Sequence, residues 1–281
     1  MSFEKVSDLM GLATQYNTSI LAFDACDINM IAAVVQGAEK ANKPAIVMLY
    51  PGLREMLPMS AFASATKYYA ERVKVPVGLH LDHCSDFDLI LQAICAGFTS
   101  VMADGSELPL EENIAFTRSV VRVSKNFGVA VEGEVVHVGN TDSEDGFRNK
   151  EAFTHPSEAS RFAEETGVQL LAVSFGSAHG FYKREPKLDI GHLKELNRAT
   201  DVPLVLHGGT GIPDKQLSEA FASGINKINI GTEYFALNTK LNQEFYARKL
   251  AGMEQFEGYT HIRPTLANYV AGRLALCKVE L

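Results

Sequence analysis

Cysteine is scarce in this chain, and positive charge is outnumbered. The four cysteines, Cys26, Cys84, Cys95 and Cys277, form no CxxC pair and no small-scaffold spacing, so a disulfide framework is not expected and free thiols are. With 26 Lys and Arg against 34 Asp and Glu, the net charge is -8 and the pI about 5.5. Such a balance neutralises no phosphate backbone, which argues against nucleic acid or an anionic membrane as the main partner. No apolar run is long enough to span a bilayer, and the opening MSFEKVSDLMGLA lacks the basic and apolar regions of a secretory signal. Together these absences point to a cytoplasmic enzyme that acts on small molecules.

What the chain does have is bulk and alternation. Its 281 residues, 46% of them hydrophobic, can bury a large core. Apolar, strand-like runs occur at 20–25, 44–50, 75–83, 99–104, 129–135, 170–176, 202–208 and 227–232. Between them lie stretches with helical spacing, such as FDLILQAICAG and PSEASRFAEETG, several ending in glycine as helix C-termini do. Strands buried on both faces read as near-continuous apolar runs, which is the pattern here. Eight strand-helix units without a linker predict an α/β fold, a single (β/α)8 TIM barrel over residues 1–281. A doubly wound open sheet is the alternative. Residues 233–281 are enough for the eighth helix and an additional C-terminal helix.

In such a barrel, catalytic groups lie where strands end, on one shared rim. A census of those ends finds Asp24, Asp82 with His83, Asp104 with Ser106, Glu132 with Glu134, His179, His207, and Asn229 with Thr232. His83, His179 and His207 are scattered in sequence yet would converge there, and three neutral imidazoles with one open position suit a catalytic zinc. An isolated histidine is more often a hydrogen-bonded structural group; three at equivalent strand ends favour the metal. Cys84 follows His83 but should face away, since neighbours in a strand alternate. His80 is expected in the barrel interior, and His137, His155, His192 and His261 at the surface or in loops. The segments GSAHG, HGGTG and NIGT place glycines and backbone N–H groups where barrels often hold a phosphate.

The segments LHLDHCSDFD, SVMADGSELPLEENI, VEGEV, SFGSAHGFY, PLVLHGGTGIP and KINIGTEY resemble the motifs of the class II, zinc-dependent ketose-bisphosphate aldolases, the group that holds fructose- and tagatose-1,6-bisphosphate aldolases. The resemblance runs in order from about residue 18 to 236. It implies Zn2+ on His83, His179 and His207, with Asp82 as the acid/base for the aldol hydroxyl proton. Glu134 and Asp104 match positions that attract a second metal or support the zinc. Gly180, Gly208, Gly209 and Thr210, with Asn229, Ile230, Gly231 and Thr232, match the site for the dihydroxyacetone-phosphate half, where a monovalent cation, Na+ or K+, also sits in some members. A glutamate on the loop after the fifth strand protonates the enediolate in the family, and Glu144 is the candidate, with Asp142 and Asp145 close by. Arg263 matches an arginine that binds a distal phosphate. The resemblance further implies a phosphorylated sugar as substrate and a homodimer or homotetramer.

Several residues depart from the family pattern. Asp24 stands where an asparagine is usual, Tyr50 where a small hydroxyl residue is usual, Val135-Val136 where Leu-Gly is common, and Gly231 where fructose-type members carry aspartate. The last change leans toward the tagatose-like branch, and the set bears on the substrate rather than on the zinc triad or Asp82. Competing chemistries fit less well. A Schiff-base aldolase needs a lysine in the barrel, and Lys227 is expected to open its strand, away from the active rim. A zinc hydrolase would show an HxH pair on its first strand, where this chain has Phe23-Asp24-Ala25. A non-catalytic paralogue that binds a sugar phosphate is the alternative from another class.

Overall fold

The computed structural model describes residues 2–139, 141, 152–247 and 254–281. Eight parallel strands close in chain order into a barrel: β1 (Ile20–Asp24), β2 (Ala45–Leu49), β3 (Val77–Cys84), β4 (Ser100–Ala103), β5 (Ala130–Glu134), β6 (Leu170–Ala172), β7 (Leu204–Leu206) and β8 (Ile225–Ile230). Closure comes from β1 against β8, where Ile20 lies opposite Lys227 and Phe23 opposite Ile230. Nearly every strand residue is buried, because one face packs inside the barrel and the other against helices. The open-sheet alternative is excluded by this closure.

Between and after the strands run α2 (Ile28–Ala41), α3 (Met59–Ala70), α4 (Phe87–Ala96), α5 (Leu110–Ser124), α6 (Pro156–Thr166), α7 (Ile190–Ala199), α8 (Asp214–Ala222), α9 (Thr232–Tyr246) and α10 (Glu254–Leu274). Local signals stop and start them. Asp27 and Asp86 cap the N-termini of α2 and α4, while Gly97 and Gly167 end α4 and α6 in left-handed conformation. A helix ahead of the barrel, α1 (Val6–Gln15), packs against β1, β3 and β8 at the end where β3 begins. Gly78 admits it: a side chain there would meet Val6 at 2.8 Å. The additional helix α10 lies on α2, where Gly37 lets the two approach, since an added Cβ would sit 2.6 Å from Val270.

One strand differs from expectation in a way that matters. β8 begins at Ile225, directly after Gly224 at φ +118°, and not at Lys227. Lys227 is therefore inside the barrel wall, fully buried, and not at the strand's opening. Asn226 and Lys227 interrupt the apolar run that marks the other strands, which hid the first residues of β8.

Candidate active site

The rim builds a cavity of about 800 Å³, lined among others by Asp24, Asp82, His83, His179, Gly208 and Asn229. Its centre is a triangle of imidazoles, with ring centroids 4.6 Å apart for His83 and His207, 4.9 Å for His83 and His179, and 5.7 Å for His179 and His207. One nitrogen of each lies within 4.8 Å of the others'. Regular alternation along β3 would send Asp82 and His83 to opposite faces. It fails here because His83 adopts φ +38° and the β3–β4 register shifts between Leu81 and Cys84. Both side chains consequently line the cavity, while Cys84 is buried outside the triangle with its thiol directed to the Asp86 carbonyl.

Each ring has one nitrogen engaged, which leaves the other to coordinate. His83 Nδ1 lies 2.7 Å from Asp104 Oδ2, and its Nε2 is buried without a partner. His207 Nε2 lies 2.8 Å from Glu132 Oε1, and its Nδ1 is buried without a partner. His179 Nδ1 faces the Val138 carbonyl at 3.1 Å, which fixes Nδ1 as the donor. A neutral histidine that donates from one nitrogen presents a lone pair at the other. Orphaned acceptors converging on one point in a buried site fit a cation, and three imidazoles fit zinc.

The surrounding acids reinforce this. Burial alone would lower the pKa of His83, but Asp82, Asp104 and Glu134 outweigh it and push it up to about 10. His179 is lowered by burial and by the other two rings to about 3, with Asp82 and the Val138 carbonyl too weak to offset them. The acids thus demand a positive charge at the triangle, which a bound cation satisfies without protonating a ligand. Asp82 is held below its ordinary range despite burial, by His83, His207 and Lys227, and so carries its charge at neutral pH. Burial raises the Glu134 carboxyl. Glu134 Oε1 accepts from the Val138 N–H, and its free Oε2 lies 3.8 Å from His83 Nδ1 and 3.9 Å from His207 Nδ1. His83, Asp104 and Glu134 form a second group able to hold a metal. Ser106, for which the sequence suggested no role, donates to Asp104 Oδ1 through its hydroxyl at 2.7 Å and its N–H at 3.2 Å.

Glycine geometry shapes the opposite wall. Gly208 is at φ +69°, and a Cβ there would lie 2.2 Å from the Ala178 carbonyl oxygen, so no side chain fits. Tyr182 accepts from the Ala178 N–H and donates to the Gly208 carbonyl, tying the GSAHG and HGGTG segments together. Gly180, Gly208, Thr210, Gly231 and Thr232 all line the cavity beside the N-terminus of α9, a setting for an anion. Gly209 packs on Ile228, and Ile230 is buried in β8.

Not every expected residue reaches this site. Arg263 lies on α10 and donates to Asn29 at the start of α2; it does not line the cavity. Glu144, Asp142 and Asp145 lie outside the described residues. His137, expected away from the site, lines the cavity, with its Nδ1 3.3 Å from the Ser106 hydroxyl. His80 does sit in the barrel interior, 2.9 Å from the Ser100 hydroxyl. The sequence counts Glu132 among the strand-end acids without giving it a role and sets Lys227 away from the rim, whereas the two pair directly beside His207. Their signal was parity: Glu132 shares the inward face with Glu134, and Lys227 shares it with Asn229.

A family model for class II fructose-bisphosphate aldolases matches residues 4–278. The chain belongs to that family. This aldolase is 36% identical over 252 residues to a probable fructose-bisphosphate aldolase of Bacillus subtilis (strain 168), covering 89% of this chain and 88% of the relative. It is also 36% identical over 213 residues to a sulfofructosephosphate aldolase of Alkalicoccus urumqiensis, covering 75% and 74%. Its fold superposes on the crystal structure of the YdjI aldolase of Escherichia coli K12 with a TM-score of 0.87 at 28% identity, over 99% of this chain and 98% of that one. The aldolase is therefore an aldehyde-lyase of a generally metal-dependent class, and its histidine triangle is where the donors for a metal are found.

Proposed function

We propose that this aldolase is zinc-dependent and cleaves a phosphorylated ketose, of the tagatose or fructose 1,6-bisphosphate type, reversibly to dihydroxyacetone phosphate and an aldehyde such as glyceraldehyde 3-phosphate. The observation that carries this reading is the convergence of His83, His179 and His207 with their free nitrogens inward and a charged Asp82 alongside. When bound there, zinc supplies Lewis-acid stabilisation of the negative charge that develops on the ketose oxygens as the C3–C4 bond breaks.

Asp82 accepts the proton of the C4 hydroxyl as that carbon becomes the aldehyde, and returns it in the condensation direction. Asn229 donates to Asp82 Oδ1 at 2.8 Å, which leaves Oδ2 for the substrate. The electron pair of the broken bond stays on the three-carbon half, which is then protonated at C3; the family resemblance assigns that proton to Glu144. Backbone amides of the glycine segments and the N-terminus of α9 hold the phosphate of the three-carbon half, and a sodium or potassium ion beside them fits the same resemblance. Asp104 and Glu134 support His83 from behind, or take a second ion. The reading extends to a single catalytic domain over 1–281, assembled as a dimer or tetramer in the cytoplasm. No helix among the described residues is long and apolar enough to cross a membrane.

A second reading, a different aldehyde partner, is favoured by one feature. Asp24 is buried at the cavity wall with Oδ1 unpaired, and among the described residues no lysine or arginine lines the cavity. Wherever Asp24 is ionised, a second phosphate close to it would be repelled. One of the relatives is a sulfofructosephosphate aldolase, whose named substrate carries a sulfo group as well as a phosphate. Release of dihydroxyacetone phosphate from tagatose and fructose 1,6-bisphosphates, with chelator and zinc add-back, tests both readings. Zinc-restorable release establishes the first. No release from either by a zinc-loaded protein refutes it, and an aldehyde panel in the condensation direction then identifies the partner.

A further inference from the structure

Beneath the histidine triangle a single buried ammonium touches both halves of the proposed chemistry. Lys227 Nζ donates to Glu132 Oε2 at 2.8 Å and to Asn229 Oδ1 at 2.7 Å, with all three side chains inside the barrel. The other oxygen of Glu132 accepts from His207 Nε2, and the other end of the Asn229 amide donates to Asp82 Oδ1. The path from metal ligand to acid/base is thus continuous: His207, Glu132, Lys227, Asn229, Asp82. We infer that Lys227 is a positioning residue that sets the proton position of His207 through Glu132 and the amide orientation of Asn229 that serves Asp82.

The argument rests on what each group can donate. A lysine only donates, so the Asn229 atom facing it must be the carbonyl oxygen, and the amide nitrogen must face Asp82. Without Lys227 the amide is free to turn, and its oxygen would then meet the Asp82 carboxylate. Glu132 is fully buried, and its Oε2 lies 2.8 Å from the Lys227 ammonium, a close ion pair that holds it as a carboxylate. As a carboxylate it only accepts, so His207 must carry its proton on Nε2 and present Nδ1 to the cavity. His80, whose Nε2 lies 3.6 Å from Glu132, is held neutral by burial and by Lys227, and does not replace it as the cation. Both acceptors occupy the ammonium where it sits beneath the cavity, which also separates Lys227 from a Schiff-base role.

This inference rests on the zinc reading of the three histidines, and its test keeps the two apart. Lys227→Met leaves Glu132 as an uncompensated buried charge and can fail to fold, so it is paired with the isosteric neutral double variant Glu132→Gln/Lys227→Met. Two readouts are taken on refolded, monodisperse protein: zinc affinity by chelator competition, and kcat and KM at saturating zinc. Lys227→Met is expected to weaken zinc by about 10- to 100-fold. The double variant recovers most of that affinity, because the glutamine oxygen still accepts from His207. Its kcat stays depressed about 10- to 100-fold with little change in KM, because Asn229 has lost its anchor. A fall in thermal stability with zinc affinity and kcat both at wild-type values overturns the inference and leaves Lys227 a structural cation. Wild-type protein that takes up no zinc overturns the metal reading, and this inference with it.

Discussion

Two polar layers lie one above the other in this barrel, and they differ in how completely their groups are paired. In the lower layer Glu132, Lys227 and Asn229 satisfy one another, with both Glu132 oxygens and both ends of the Asn229 amide engaged, and His80 Nε2, 3.6 Å from Glu132 Oε2, is left without a hydrogen bond. At the rim, His83 Nε2, His207 Nδ1, Glu134 Oε2 and Asp24 Oδ1 are buried without partners. Leaving a buried polar atom unpaired costs about 1–3 kcal/mol, so a cluster of such atoms aimed at one cavity marks the place where a ligand completes the structure. The lower layer holds, and the rim binds.

Removing a rim ligand breaks the comparison most severely. His207→Ala is expected to lose its zinc on dialysis and to lower kcat/KM on the order of 10⁴-fold, because the Lewis-acid contribution of several kcal/mol goes with the metal. A variant that retained full zinc content and full activity would sink the assignment of the triangle. Next in size is Asp82→Asn, which keeps the shape and the acceptor for Asn229 but removes the base. Turnover should fall about 10³-fold while metal content stays at the wild-type level. Loss of zinc in that variant would instead make Asp82 a ligand.

A smaller effect separates the support from the ligands. Asp104 holds His83 Nδ1 and is itself held by Ser106, so Asp104→Asn should weaken zinc by about 10- to 100-fold while excess zinc restores most of the activity. Activity that zinc fails to restore would place Asp104 in the chemistry itself.

The fold was legible in the sequence because both-face burial writes parallel strands as apolar runs, and the closed barrel follows those runs strand by strand. The departures have physical causes. β8 was read as starting at Lys227 because its interior carries Asn226 and Lys227, polar residues that a hydrophobicity pattern excludes but a buried network requires. The helix α1 precedes the first strand, so the strand-helix rhythm of the sequence does not announce it. Within the site, the histidines, Asp82 and the glycines were readable from their positions after strands. The pairing of Asp82 with His83 on one face was not, since it depends on the positive φ of His83. Nor was the Glu132–Lys227 pair, whose members are 95 residues apart and meet only across the closed barrel. Arg263 was assigned by resemblance alone, and its bond to Asn29 keeps it on the helical shell.

Asp24 sharpens the comparison further, since it is an unpaired rim group that belongs to neither the triangle nor the lower layer. Gly231 makes room for it, as a Cβ there would lie 2.7 Å from Asp24 Oδ2. Burial, and then the charge of Asp82, raise its pKa well above the ordinary 3.8. A carboxyl whose folded pKa is raised binds its proton more tightly folded than unfolded. It costs no stability at pH values below the unfolded value, a growing amount as pH rises from there toward the folded value, and a constant amount above that. Asp24→Asn removes this cost. In the zinc-free protein the variant should therefore be more stable than wild type by about 1 kcal/mol at neutral pH, with the difference shrinking as pH falls toward the unfolded value. Denaturant melts of both proteins across that range measure it. A pH-independent difference would mean that Asp24 is paired in solution and belongs with the structural layer; a difference that grows with pH leaves its oxygen free for a hydroxyl of the substrate.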